Sequence, residues 1–483
     1  MAVTVPGVGG DITVATGSGD VLNLAAQIGN LLSTISTNIQ SVSGASIPAA
    51  PTVAGTSSEV VLSGSSSIST TIPAGYNYVV DTGSKNTVTG SDVAIITGTV
   101  GGSYNVTGTS TVAVQGGTNT VKATGNYVLS TSSTSNNGII ASGTGTVATN
   151  GSSTVRSGGS NVVLSNGSNE LVVGASGATT ITASGNGSGV LGAGGAITAN
   201  ITGGAATVAA GNSTTTVTLS GSNAVAFGGT GTTAGALSVV DAGTNDTIAT
   251  FASNATVVAS GSTQSLVFGG TGLLDFVGGA GASTVIGGTG GSEVMTVGAG
   301  GIVFSAGTNN MSTIVGSANA GLATIFGGSG SQINLNESIS GTTGGAFLLA
   351  SGGQETLNAA LSNTNNLFSG GADSTGAVSM VGGSGSNTFF AGSGADTMTG
   401  GTSSNLFAFF AANTKGGTDY ITNFNANDIL VLSGYDTTLS AAKLLSTATT
   451  GQGGVTITLS DSTKITFTNL TDTTALTNRI TYS

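Results

Sequence analysis

The 483-residue chain has no cysteine, no histidine and no tryptophan, four prolines, and only 7 basic side chains against 19 acidic ones. Without Cys or His there is no disulfide, no thiolate or imidazole zinc ligand, and no Cys or His nucleophile or proton carrier. Any bound metal would have to be held by oxygen, which points to a hard cation such as Ca²⁺. Charged residues are 5% of the chain, where a soluble domain usually carries ~25%. The net charge is −12, and no Lys or Arg stands between Arg156 and Lys415. The chain therefore offers no basic patch for nucleic acid or anionic lipid. Scarce charge with a positive mean hydropathy argues against disorder. A run of about 18 apolar residues is nowhere present, so no transmembrane helix is expected. The opening Met1-Ala2-Val3-Thr4-Val5-Pro6-Gly7 has no charged stretch leading into an apolar one, so no Sec-type leader is expected there. The four prolines are Pro6, Pro48, Pro51 and Pro73, and none follows. Proline cannot donate to a strand ladder, so its absence beyond Pro73 fits a continuous ladder.

Glycine, by contrast, supplies 84 of the 483 residues, against a usual ~7%. Its placement is rhythmic. Val258, Val267, Phe276, Val285, Val294 and Val303 stand nine apart, separated by Gly269-Gly270-Thr271-Gly272, Gly278-Gly279-Ala280-Gly281 and Gly287-Gly288-Thr289-Gly290. Val163, Val172, Ile181 and Val190 keep the same step. A fixed nine-residue period is a strand-and-turn unit repeated along the chain, and it predicts an all-β fold, an elongated parallel β-solenoid. Central apolar residues would point into a thin core, glycines would take the positive φ of the turns, and outward Ser, Thr and Asn would stack as ladders. Two nonads per coil would give a β-roll turn and three a triangular β-helix; the spacing leaves both open.

Three segments are expected. Residues 1–57 hold a short N-terminal α-helix over 20–43 and a Pro/Gly/Ser linker over 44–57. Val21, Leu24, Ile28, Leu31 and Ile35 form an apolar seam on that helix, with Val42 in line and Ile39 beside it. The seam would either cover the first coil or join subunits, and these five residues are the candidate self-assembly contacts. Residues 58–410 form the solenoid. Residues 411–483, entered through Phe407, Phe409 and Phe410, form a β-rich C-terminal cap with a short helix at Ser440–Thr447. A hairpin is expected where Gly454–Leu459 and Lys464–Asn469 flank Ser460–Thr463.

Residues 382–408 contain three nonads in register: Gly382-Gly-Ser-Gly-Ser-Asn387-Thr-Phe389-Phe390, Ala391-Gly-Ser-Gly-Ala-Asp396-Thr-Met398-Thr399 and Gly400-Gly-Thr-Ser-Ser-Asn405-Leu-Phe407-Ala408. Here the chain resembles the repeats-in-toxin (RTX) family, whose calcium-binding nonapeptide reads G-G-x-G-x-D-x-U-x. The stretch Gly417–Leu430, with Asp419 and Asp428, is similar to the strand that follows such repeats. The resemblance implies Ca²⁺ between coils near Asp396, Asn387 and Asn405. It also implies export by an ABC-type (type I) apparatus that reads the C-terminal segment, with folding outside the cell. Only Asp396 keeps the aspartate; Asn387 and Asn405 are neutral, and upstream the position holds Leu274, Ser283, Ser292 and Gln332. Neutral ligands weaken a calcium site, so few ions, all near the C-terminal repeats, are expected.

No catalytic constellation stands out. Asp241, Asp246, Asp275 and Glu293 are isolated acids in a stretch with no basic partner, and no Gly-Lys-Ser/Thr phosphate loop occurs. The expectation is therefore a non-enzymatic extracellular or cell-surface protein that assembles with copies of itself into a layer, filament or biofilm matrix, similar to RTX-type surface-layer and matrix proteins. The alternative is a carbohydrate-active or polysaccharide-binding β-helix. Runs such as Thr214–Thr218 also suit a flat, ice-binding Thr face.

Overall fold

The computed structural model describes residues 2–5, 12–15 and 38–483, apart from 54–56, 260, 262, 290, 318, 337–344, 372–375, 415 and 437–439. The architecture is an all-β parallel β-solenoid. The chain divides into two compact units, Met1–Ser238 and Val239–Ser483.

In the first unit, successive strands alternate between two parallel sheets. Within one sheet Val163 pairs with Ile181, Ile181 with Ala199 and Ala199 with Val217, so each rung advances the sequence by two nonads. In the other, Val172 pairs with Val190 and Val190 with Val208, again two nonads on. The series Val163, Val172, Ile181, Val190 therefore zigzags between the sheets, and two nonads close one coil. This settles the coil as the β-roll type. Strand Thr179–Ala183 shows the local logic: Thr179, Ile181 and Ala183 are buried while Thr180 and Thr182 face out, the period-two alternation of a half-buried strand. Earlier coils are uneven: the one from Val60 to Val79 is longer than two nonads and the one from Val79 to Ile95 shorter, which explains the irregular spacing of the sequence there.

The repeat glycines answer to close approach more than to left-handed turns. A Cβ on Gly185 would lie 1.8 Å from the Gly167 carbonyl oxygen, and one on Gly203 2.2 Å from that of Gly185. In the second unit a Cβ on Gly288 would lie 1.7 Å from the Gly270 oxygen, and one on Gly307 1.7 Å from that of Gly288. None of these four glycines has a positive φ. At several turns the left-handed residue is asparagine instead, as at Asn169, Asn223, Asn245 and Asn309.

At the N-terminus, Ala2–Val5 pairs antiparallel with Ile12–Ala15. The helix expected over 20–43 is corrected where the structure describes it. Ile39–Val42 is a strand, paired in parallel with Ser58–Leu62, because its β-branched ends fit a pleated ladder and a partner edge is present. The seam residues Val21, Leu24, Ile28, Leu31 and Ile35 lie outside the described residues. The linker that follows bonds to the first coils: Thr70 Oγ1 donates to the Ala45 carbonyl (2.8 Å), Tyr76 Oη to that of Pro48 (3.2 Å) and Ser58 Oγ to that of Pro51 (3.3 Å).

In the second unit the coil length changes. Val267 still pairs with Val285, two nonads on, but Val257 pairs with Phe276, and Phe276 with Met295, each one position further. An inserted residue in a coil moves the inward position by one and turns every side chain over. Val267, Phe276 and Val285 are buried as the nine-residue series requires, whereas Val258, Val294 and Val303 face outward and their neighbours Val257, Met295 and Phe304 fill the core. One core column, Val285, Phe304, Ile325, Leu348, Phe368, Phe389, Phe407 and Leu430, is continuous. Three of its rings stack almost parallel, Phe368 on Phe389 at 4.8 Å and Phe389 on Phe407 at 5.0 Å, because the ladder holds their strands at that spacing.

The C-terminal stretch contributes the last rung of both sheets. Lys464–Phe467 pairs in parallel with Thr418–Thr422, and Ile480–Tyr482 with Ile429–Ser433. The expected hairpin is present, with Gly454–Thr458 antiparallel to Lys464–Phe467. The expected helix is Ala441–Ser446, capped where the Lys443 N–H donates to Ser440 Oγ at 3.3 Å.

Candidate functional site

The polar side chains singled out in the C-terminal nonads all stand two residues before a core residue: Asn387 before Phe389, Asp396 before Met398, Asn405 before Phe407. Period-two alternation makes that position inward as well, at the corner where the strand leaves the turn. All three are buried, at 1%, 0% and 3% exposure.

Asn366, Asn387, Asn405 and Asp428 form one column, lying two residues before Phe368, Phe389, Phe407 and Leu430. Each Oδ1 accepts a backbone N–H from the preceding coil. The Ala346 N–H donates to Asn366 (2.9 Å), that of Asn366 to Asn387 (3.2 Å), that of Asn387 to Asn405 (3.1 Å) and that of Asn405 to Asp428 (2.7 Å). The amide nitrogens satisfy their own turns: Asn387 Nδ2 donates to the Gly385 carbonyl (2.8 Å) and Asn405 Nδ2 to that of Ser403 (2.9 Å). Rungs are also joined directly, Asn387 Nδ2 to Asn405 Oδ1 (3.2 Å) and Asn405 Nδ2 to Asp428 Oδ1 (3.0 Å). The first unit uses the same device. Asn86 Oδ1 accepts the Ile68 N–H and Asn119 Oδ1 the Gly102 N–H, both at 3.0 Å, and Asn119 Nδ2 donates to Asn137 Oδ1 (3.1 Å).

Asp396 belongs to the other sheet, in a column with Asp419. Asp396 Oδ1 accepts the Val378 N–H (3.1 Å) and Oδ2 the Gly392 N–H (2.6 Å); Asp419 Oδ1 accepts the Asp396 N–H (3.0 Å). Burial pushes both carboxyls above the ordinary aspartate range, and Asp428 likewise. Asp419 reaches about 7, with the Asp396 and Asp461 carboxyls adding to the burial effect. Its Oδ2 is buried without a hydrogen-bond partner, a natural seat for a proton. Nearby, Tyr435 and Thr463 both hydrogen-bond to Thr414.

The structure thus brings Asn387 and Asn405 together and places Asp396 in a different column. The donor set does not fit a resident Ca²⁺. Both Asp396 oxygens and the Asn387 and Asn405 Oδ1 atoms already accept backbone N–H groups, bonds that an ion gathering six to eight oxygen ligands would have to compete with. Among the described residues, no group of three or more acids is placed to hold a metal.

Of the isolated acids of the middle stretch, Asp246 is buried at the start of the strand Asp246–Ala249, and the other three serve turns or face solvent. Asp241 accepts the Gly243 N–H (3.2 Å) and Ser265 Oγ (2.6 Å), Glu293 accepts the Gly288 N–H (2.7 Å) and Ser312 Oγ (3.0 Å), and Asp275 is exposed on a strand face. In Thr214–Thr218, Thr216 is exposed and Thr215 and Val217 are buried. Thr180, Thr198 and Thr216 stand in one outward row.

Sequence reasoning passed over Glu59, Asp81, Glu170 and Glu355 and named Glu293 only as an isolated acid, yet all five are buried. Glu170, Glu293 and Glu355 lie two residues before the core residues Val172, Met295 and Leu357, the same corner position as the asparagines. Glu170 Oε2 accepts Thr149 Oγ1 (2.8 Å), Ser165 Oγ (2.6 Å) and the Gly167 N–H (3.1 Å), yet burial still raises its carboxyl above the ordinary glutamate range. Asp81 pairs with the buried Tyr104 hydroxyl at 2.9 Å. Glu59 has no hydrogen-bond partner on either oxygen, and burial lifts it to about 7. For Glu170, Glu293 and Glu355 the available signal was positional: a polar residue two before a core residue. No protein-family model, curated protein or solved structure matches this chain.

Proposed function

We propose that this chain is a secreted structural protein that self-assembles into an extracellular layer, filament or biofilm matrix. The observation that carries this reading is where the scarce charge goes. Asp81, Glu170, Glu293, Glu355, Asp396 and Asp428 are buried inside coils, bonded to the turns they close, and Asp419 is buried with one oxygen on the Asp396 N–H of the coil before. Their removal from the surface takes away repulsion that keeps like proteins apart. These carboxyls are engaged with backbone amides and hydroxyls, which is the arrangement of a scaffold and not of an acid–base pair. The reading is therefore of a non-enzyme.

Export through an ABC-type apparatus, unfolded, suits a chain with no cysteine to misoxidise, and the RTX-like nonads are the basis for that route. Electron microscopy of the purified full-length chain over time tests the reading. Sheets, filaments or ordered clusters are the expected result. Monodisperse particles at every concentration and calcium level would sink it.

A further inference from the structure

In the second unit the outer faces of the two sheets differ in chemistry. One displays polar groups, among them Thr256, Asp275, Thr313, Asn334 and Asn358, interrupted by the exposed Val294, Met311 and Tyr420. The other, built from the nine strands between Gln264–Phe268 and Ile429–Ser433, carries no Asp, Glu, Lys or Arg at any outward position. Phe268, Ile286, Val303, Phe326, Phe347 and Ile429 lie on this face, each 37–43% exposed. They fall in two rows. Val303, Thr324 and Phe347 are successive members of one row, and Phe326 and Leu349 of the other.

Resting on the assembly reading above, we infer that this face is the self-association surface and that its occupant is the same face of a second copy. Three features select that occupant. Rungs repeat at the ~4.8 Å strand spacing, and the only surface certain to carry the same repeat is another copy, so side chains of two copies interdigitate without drifting out of step. The face has no charge to recognise a charged partner and none to repel itself. Its size is adequate: nine strands span about 38 Å, and two rows of side chains are about 14 Å wide, giving about 500 Å² per copy and about 1,000 Å² in all. That is the lower bound of a specific interface. A two-fold axis through the face makes the contact isologous, so Phe326 and Phe347 at its centre meet their counterparts.

Sedimentation velocity on the full chain tests this, with Phe326→Lys and Phe347→Lys combined. Two unpaired charges at the centre of a closed apolar contact should weaken association about hundredfold, while circular dichroism is unchanged. A control pair on the opposite sheet, Thr313→Lys with Asn334→Lys, should associate like the wild type. Mixing the lysine variant with a Phe326→Glu, Phe347→Glu variant should restore the complex. If the lysine pair fails to fold, Phe326→Ser with Phe347→Ser replaces it. A wild type that associates, with a lysine variant that associates equally well, overturns this face and leaves assembly to another surface. A wild type that stays monomeric overturns the assembly reading itself. A monomeric wild type that sediments with chitin or phosphatidylcholine vesicles through Phe326 and Phe347 would give the face to that occupant and overturn the inference.

Discussion

Restoring the consensus aspartate of the nonapeptide, Asn405→Asp, separates a structural amide column from a calcium site in one substitution. The two side chains have the same shape, so packing is unchanged. In the wild type, Asn405 Nδ2 donates to Ser403 O at 2.9 Å, to Asp428 Oδ1 at 3.0 Å and to Gly401 O at 3.3 Å. The substitution puts an oxygen against three oxygens. The amide has two hydrogens to share among these acceptors, so two hydrogen bonds at about 1 kcal/mol each make the loss about 2 kcal/mol, before any cost of burying charge. Burial would hold the introduced carboxyl above its ordinary pKa, so its contribution is best below about pH 4 and is lost as the pH rises. The variant should therefore unfold at lower urea than the wild type at pH 7, and the gap should narrow toward pH 4, where a protonated carboxyl regains one donor. Hydrogen exchange gives a local readout. The Asn387 N–H, which donates to Asn405 Oδ1 at 3.1 Å, should exchange faster in the variant. Millimolar Ca²⁺ or a chelator should change neither result. A variant as stable as the wild type at pH 7, or one rescued by Ca²⁺ alone, would refute the column and support the metal.

Asp419, lifted from 3.8 to about 7 by burial, contributes stability that is complete below pH 3.8 and lost as the pH rises through about 7. The effect is at most about 4 kcal/mol, so urea midpoints should fall between pH 5 and pH 8, and Asp419→Asn should flatten that slope. Glu59 has the same sign over its own window, from 4.5 to about 7, and Glu59→Gln should act in the same direction. Phe389→Ala removes the middle ring of the stack between Phe368 and Phe407 and should cost about 3–5 kcal/mol in chemical denaturation, Phe389→Leu much less. Gly288→Ala forces a Cβ to 1.7 Å from the Gly270 oxygen and should cost about 3 kcal/mol or more, whereas Gly138→Ala, with nothing within 4 Å of the added carbon, should be neutral.

The solenoid was legible because the apolar period is fixed by the coil, and a coil must return to the same face. Its register was less so. At Val257-Val258, Val294-Met295 and Val303-Phe304 two apolar residues stand side by side, so an inward series can be drawn through either member. The inserted residue that chooses between them sits in a turn, where composition does not announce it. Only one of those doublets marks the apolar outer face: Val303 lies on it, whereas Val258 and Val294 are apolar interruptions of the opposite, more polar face. The glycines were read for conformational freedom, when at Gly185 or Gly288 the constraint is the carbonyl of the coil beneath, a contact across two nonads of sequence. The strand Ile39–Val42 was read as helix because its apolar spacing suits either, and only the edge of Ser58–Leu62 decides.

The columns also explain why acids and amides are distributed as they are. An amide can pass a hydrogen bond along a stack, accepting from one coil while donating to its own turn and to the next rung; a carboxylate can only accept. Asparagine therefore suits the interior rungs Asn366, Asn387 and Asn405, each of which has a neighbour on both sides. On the rung after Asp428 the corresponding position, Asn478, two before Ile480, is exposed and left-handed, so the buried column stops one rung earlier. There Asp428 closes the column, taking the Asn405 N–H and Nδ2 on Oδ1 and the Asn425 N–H on Oδ2 at 2.8 Å. The bonds all point one way, each coil's side chain completing the backbone of the coil before it. A rung is fully satisfied only when its successor is in place, so shortening this column from the C-terminal end should expose the Asn405 N–H first. Its exchange protection should disappear in Asp428→Ala, while that of Asn366 persists; simultaneous loss along the whole column would show that the rungs do not depend on one another in this order.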